Sequence, residues 1–183
     1  RSVEHSHPGF APAPGIGEGK RGGILGVVLG YRYSDGAVVG ADPGRDVVPD
    51  DLRLTGEPGT RAPHLWVRRS GTRISTLDLY ERVPVLLSDA GSAADWHAAA
   101  RHVAQATGVP LESYRIGAEL TCDDQGAAGP EAERPDWARA HGIGTDGAVL
   151  VRPDGFVAWR SPGAVPDPEG TLREVLTAVL RRD

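Results

Sequence analysis

The stretch GAVLVRPDGFVAWR, residues 147–160, constrains the fold more than any other part of this chain. Two short apolar runs, 148–151 and 156–159, flank Arg152-Pro153-Asp154-Gly155. Pro153 presets φ, Asp154 can bond its own backbone, and Gly155 accepts positive φ, so the stretch predicts a β-hairpin. A helix is predicted next. Asp167 is a good N-cap, Pro168 suits the first helical position, and Glu169 favours the positive end of the dipole. Leu172, Val175, Leu176, Val179 and Leu180 then form one apolar stripe. Neither element carries an obvious catalytic group.

The pattern upstream supplies the rest of a sheet. VPVLL, 83–87, is a continuous apolar run of the buried, parallel-strand kind. A helix is expected over 92–105, with Ser92 as cap, Asp95 three residues on, and Trp96, Ala99, Ala100 and Val103 on one face. Gly108-Val109-Pro110 stops it. Residues 114–118 read as a strand, 123–134 as a polar loop, and 135–141 as one or two helical turns. From 83 onward the order is therefore β-α-β-(short α)-β-β-α. This is the element order of a thioredoxin-like α/β fold, a mixed sheet flanked by helices. Before it, 64–69 and 73–79 form a second expected hairpin around Ser70-Gly71-Thr72, and 24–33 (ILGVVLGYRY) reads as a strand. Residues 1–23 are too rich in Gly and Pro to pack and read as a flexible extension.

Composition narrows the function. The 183 residues suffice for one domain with a real core plus loose sequence. A formal net charge of -5 argues against non-specific nucleic-acid binding or attraction to an anionic membrane. No membrane span or secretion signal is readable, so the expected location is cytoplasmic. The sequence contains no Met, which leads to the expectation of a chain processed or cut from something longer.

The single cysteine, Cys122, excludes an internal disulfide and any Cys-x-x-Cys site. A thioredoxin-type enzyme needs a low-pKa thiolate where its first helix begins. That junction here reads Ser88-Asp89-Ala90-Gly91-Ser92, without sulfur and with an opposing Asp89. The place of the usual cis-proline holds Thr145-Asp146-Gly147. The redox dithiol is thus absent, and Cys122 lacks a basic neighbour that would activate it.

Other constellations fail on their chemistry. Gly15-Ile16-Gly17-Glu18-Gly19 lacks both a preceding strand and G-x-G-x-x-G spacing. His5 and His7 are too few for a defined metal site, and Asp123, Asp124, Glu131 and Glu133 too few for Ca²⁺. His97 and His102 share no helix face and read as solvent-side residues. Ser75, Thr76 and Asp78 with His64 lack a nucleophile elbow and are expected to bond the backbone. The scattered Trp residues suit packing rather than base stacking. No catalytic, cofactor-binding or metal-ligating residue is assigned.

Four segments in order, LGYRYSDGAVV (29–39), GTRAPHLWV (59–67), ISTLDLY (74–80) and GAVLVRPDGFVAWR, resemble the C-terminal part of flavin-dependent aromatic hydroxylases of the phenol hydroxylase type. That group includes chlorophenol monooxygenases and the aromatic polyketide hydroxylases of antibiotic biosynthesis. The resemblance implies a last domain that is thioredoxin-like and has lost its dithiol. It implies FAD and NAD(P)H for the full-length family, bound by parts that have no counterpart in this sequence. No catalytic residue is carried over, because no position here matches one.

The expected organisation is then a flexible segment at 1–23, the end of the hydroxylase middle domain at 24–60, and the thioredoxin-like domain at 61–183. Three functions fit: the non-catalytic C-terminal region of a longer hydroxylase, a free-standing accessory or small-molecule-binding relative, or an unrelated protein sharing the fold. The expected partners are the flavin and substrate domains, in cis or in trans, or a second copy. Tyr31, Arg61, Pro63, His64 and Trp66 are the candidate interface, next to a 24–33 strand that would expose an unpaired edge.

Overall fold

The computed structural model describes residues 23–49, 53–123 and 136–180. The expected flexible segment up to 22, with Gly15 to Gly19, His5 and His7, lies outside them, as does the acidic loop from 124 to 135. In chain order the elements are α1 (Gly23–Gly30), β1 (Trp66–Arg69), β2 (Thr72–Ser75), a 3-10 turn (Thr76–Leu79), β3 (Val85–Asp89), α2 (Trp96–Thr107), β4 (Glu112–Ile116), β5 (Leu120–Cys122), α3 (Trp137–His141), β6 (Ala148–Val151), β7 (Val157–Ser161) and α4 (Pro168–Leu180).

The strands make one mixed seven-stranded sheet in the order β2-β1-β5-β4-β3-β6-β7. β3 lies parallel to β4, with α2 as the crossover between them, and antiparallel to β6. Burial on both faces explains why 83–87 is apolar throughout. Leu86, Leu150 and Ala158 point to the side covered by α2 and α4, where Trp96, Val103, Leu172 and Leu176 close the core. Val85, Leu87, Val149, Val151 and Val157 point to the other side, against Tyr80, Trp137 and Leu120. The alternation along β3 and β6 thus fills two separate layers.

Local chemistry sets the element ends. The final hairpin forms as its turn residues dictate: Gly155 has φ 80, its N–H bonds the Arg152 carbonyl at 2.9 Å, and Asp154 Oδ1 accepts from the Phe156 N–H at 3.3 Å. Asp167 caps α4 by accepting from the Gly170 N–H at 2.9 Å. The predicted start of α2 moves. Asp95, rather than Ser92, is the cap, taking the Ala98 N–H at 2.9 Å, while the Ser92 hydroxyl is spent on Ala94.

Three readings change. The strand expected over 73–79 ends at Ser75, where the 3-10 turn begins. The run at 24–33 is a helix over Gly23–Gly30 and not a strand. A short apolar run fits either state by pattern, and a strand needs a neighbour to satisfy its backbone, whereas a helix satisfies its own. The strand read at 114–118 begins earlier, at Glu112, and is followed by β5, which lies parallel to it through the bridge Ile116–Leu120.

The connection to β1 runs along the outer edge of β7. Gly59 N–H bonds the Val157 carbonyl at 2.8 Å, Val157 N–H bonds Thr60, Ala62 N–H bonds Gly155, and Arg61 bridges Phe156. Val39 N–H adds a bond to the Ala158 carbonyl at 2.7 Å. Residues 59–62, with Val39, are therefore built into the sheet edge rather than hanging from it.

Candidate functional site

The end of β3 and the start of α2 form the junction where a thioredoxin-like reading would place a thiolate. Here carboxylates occupy it. Asp89 Oδ1 accepts the Gly91 N–H at 2.7 Å, and Oδ2 lies 3.5 Å from Trp137 Nε1. From the loop before β6, Asp146 Oδ1 accepts the Ala93 N–H at 2.7 Å, while its carbonyl accepts from Trp96 Nε1 at 3.0 Å. The donors that would stabilise an anionic sulfur or an oxyanion are thereby taken. Cys122 sits elsewhere, on β5 in register with Val67. Sequence reasoning placed Asp146 at this site but missed its role as a clasp. The clue was a short acidic residue between Thr145 and Gly147.

The same arrangement decides whether a dinucleotide fits. FAD binding in such folds needs backbone N–H groups at a helix N-terminus turned toward the pyrophosphate. The N-termini of α2 and α4 are filled by the carboxylates of Asp95 and Asp167. A pyrophosphate would meet negative charge at both. The N-termini of α2 and α4 therefore do not fit the pyrophosphate of FAD, and no step of flavin chemistry is assigned to them.

The five candidate interface residues separate into two corners. Tyr31 and Arg61 meet over Phe156, with the Arg61 guanidinium 4.7 Å above that ring and the Tyr31 ring 6.5 Å away, edge-on. Tyr33 packs on the same ring at 4.8 Å, and Arg152 lies over Tyr33 at 4.7 Å while pairing with Asp154. His64 and Trp66 form the other corner, ring to ring at 5.0 Å, with Arg73 stacked on Trp66 at 4.0 Å and held by buried Asp123 at 2.8 Å. Pro63 is buried between them in sequence and presents no free surface. Sequence reasoning missed Tyr33, Arg73, Arg152 and Phe156. Their contacts join segments far apart in the chain, which no local period encodes.

The remaining polar groups serve the framework. Ser75 caps the 3-10 turn and Asp78 accepts the Ser75 N–H at 2.9 Å, while Thr76 Oγ1 accepts the Leu65 N–H at 3.0 Å. The Ser-Thr-Asp group thus bonds backbone, as expected. His97 and His102 are engaged separately, with Ser113 at 2.8 Å and Glu169 at 3.2 Å. A shallow cleft of about 180 Å³ between Arg32, Arg45, Glu57 and Arg160 is already crossed by ion pairs from Glu57 to Arg32 and Arg45. Among the described residues no group of three His, Cys, Asp or Glu could hold a metal ion, and no helix is long and apolar enough to cross a membrane.

His141 is fully buried. Its Nδ1 lies 2.8 Å from the Trp137 carbonyl, which can only accept, so Nδ1 carries the proton and Nε2 is left as a buried lone pair. Burial, with the Arg160 guanidinium nearby, holds the imidazole below its usual 6.5 despite the Trp137 bond. The unfolded chain therefore takes up a proton before the folded one does, and stability is lost as pH falls below the ordinary imidazole range. Thermal midpoints measured between about pH 5 and 8 should fall toward acid, with a visibly shallower slope in His141→Gln. Identical slopes would remove His141 from the account.

A family model described as "Aromatic-ring hydroxylase, C-terminal" matches residues 55–182. The chain belongs to that family. A putative polyketide hydroxylase of Streptomyces halstedii is 58% identical over 188 residues, covering 98% of this chain and 32% of that protein. A second, from Streptomyces coelicolor, is 61% identical over 164 residues, covering 90% of the chain and 26% of the protein. The crystal structure of aklavinone-11 hydroxylase, a ternary complex with FAD and aklavinone, superposes with a TM-score of 0.75 at 42% identity, over 87% of this chain and 28% of that one. The mixed α/β sheet is thus that of the aromatic-ring hydroxylase C-terminal domain. The chain spans about a third, or less, of the length of these relatives.

Proposed function

We propose that this chain is the C-terminal, non-catalytic part of an FAD-dependent aromatic hydroxylase acting on polyketide-type aromatics, in the cytoplasm, with FAD and NAD(P)H handled by the remainder of the protein. Its role is structural: a thioredoxin-like module that supports the flavin and substrate domains. The β4-β3-β6-β7 order, with a βα crossover and a final hairpin and helix, supports the thioredoxin-like reading. The observation that carries the non-catalytic role is the β3–α2 junction. Asp89 and Asp146 occupy the amides where this fold does chemistry, and the sequence has no dithiol to replace them. The identities of 58% and 61% to polyketide hydroxylases support the substrate class.

The test is a titration of the purified chain with FAD. Flavin fluorescence and absorbance should stay those of free FAD, and the chain should show no disulfide reductase activity. Stoichiometric flavin on the isolated chain, or turnover of a disulfide, would refute the assignment.

A further inference from the structure

The helix α1 is unusual for its position. Its sequence, GILGVVLG, contains no polar side chain, and Val27, Val28 and Leu29 are 54%, 55% and 37% exposed. A helix without polar side chains is normally enclosed, so the exposed side of this one calls for a cover. Tyr31, 37% exposed, continues the apolar surface directly to the Phe156 corner.

The corner adds a charge with no answer. Arg152 is paired with Asp154, and Arg32 and Arg45 share Glu57. Arg61 lies over Phe156, and among the described residues no carboxylate reaches it. Its Nε is buried without an acceptor. A buried donor of a charged group left unpaired is costly, so the position calls for an oxygen from outside the described residues. Arg61, α1 and Tyr31 together present an apolar ledge ending in one unmatched positive charge.

We propose that this ledge seats an apolar, carboxylate-bearing surface of the flavin- and substrate-binding portion that makes up the other two thirds of the relatives, with the carboxylate received by Arg61. The inference rests on the proposed function and names the contact through which it operates. Two observations select this occupant. The Streptomyces halstedii relative aligns with 98% of this chain yet is about three times as long, so in that protein a large further body is joined to this part. The charge of the corner also complements a carboxylate, whereas the second corner, at Trp66, already holds one in Asp123, which pairs with Arg68 and Arg73.

The experiment compares this chain alone with a chimera in which it replaces the matching C-terminal part of the Streptomyces halstedii hydroxylase. Hydrogen–deuterium exchange is read at 27–31, and FAD content is measured separately. Exchange at 27–31 should slow by about tenfold or more in the chimera. Arg61→Glu and Val28→Asp should each restore fast exchange there, Val28→Asp with the melting temperature of the isolated chain unchanged, and Arg61→Lys should keep part of the protection. Equal exchange in chimera and chain, or protection insensitive to Arg61→Glu, overturns the proposal. So does protection already present in the isolated chain, whether lost on dilution (a second copy as occupant) or on deletion of 1–22 (its own N-terminal residues). A chimera that protects 27–31 without holding FAD keeps the docking and sinks the hydroxylase assignment; one that holds FAD with 27–31 open does the reverse.

Discussion

Replacing Trp96 with alanine is expected to cost about 3–5 kcal/mol of folding stability, the range for removing a large buried aromatic. Trp96 is fully buried between α2 and the sheet, its ring 5.6 Å from that of Trp159. It also donates its indole N–H to the Asp146 carbonyl. Truncation opens a cavity and leaves that carbonyl without its donor. Trp96→Phe retains most of the packing and loses the hydrogen bond, so it should cost less, about 1–3 kcal/mol. Urea unfolding followed by far-UV dichroism gives both values. A loss below about 1 kcal/mol for the alanine variant would show that the clasp between α2 and the loop before β6 is not structural.

Gly59→Ala is expected to release the 31–62 stretch from the sheet. Gly59 has φ 86, a conformation that costs an L-residue about 1–3 kcal/mol. A Cβ there would lie 3.1 Å from the Tyr33 carbonyl carbon and closer still to its oxygen. Tyr33 donates its own N–H back to the Gly59 carbonyl at 2.8 Å, so the two strands of backbone cannot simply move apart. Limited proteolysis should cut between 31 and 58 in the variant before it cuts the sheet, and the thermal midpoint should drop. A variant as protease-resistant as the parent would mean that this close approach does not hold the segment.

Elements governed by short-range chemistry were legible in the sequence. Asp167-Pro168-Glu169 and the stripe from Leu172 to Val179 specify α4 completely, and Pro153-Asp154-Gly155 specifies the last hairpin. The alternation of inward faces on β3 and β6 follows from an apolar run too short for a helix. What the sequence concealed depends on partners distant along the chain. ILGVVLG carries a pattern compatible with strand or helix, and only the lack of a neighbouring strand decides for α1. The candidate interface residues were grouped because 24–33 and 61–66 read as the link between two domains, yet Phe156, from the far hairpin, gathers Tyr31 and Arg61 and leaves His64 and Trp66 as a separate pair. Asp146 looked like a loop residue, and its clasp on Ala93 and Trp96 appears only once β6 lies beside β3.

The bonds from 59–62 to 155–157 also fix where this domain can be cut. β7 ends the sheet on that side, and those bonds occupy the amide and carbonyl of Val157 and the carbonyl of Gly155 just before the strand. The region matched by the family model begins at 55, just ahead of this cover. A chain trimmed to that point keeps its selvedge. One trimmed past Ala62 bares a row of hydrogen-bonding groups beside Phe156, a template on which other chains can stack. Solubility of excised versions of this domain therefore turns on four residues that belong to no named strand.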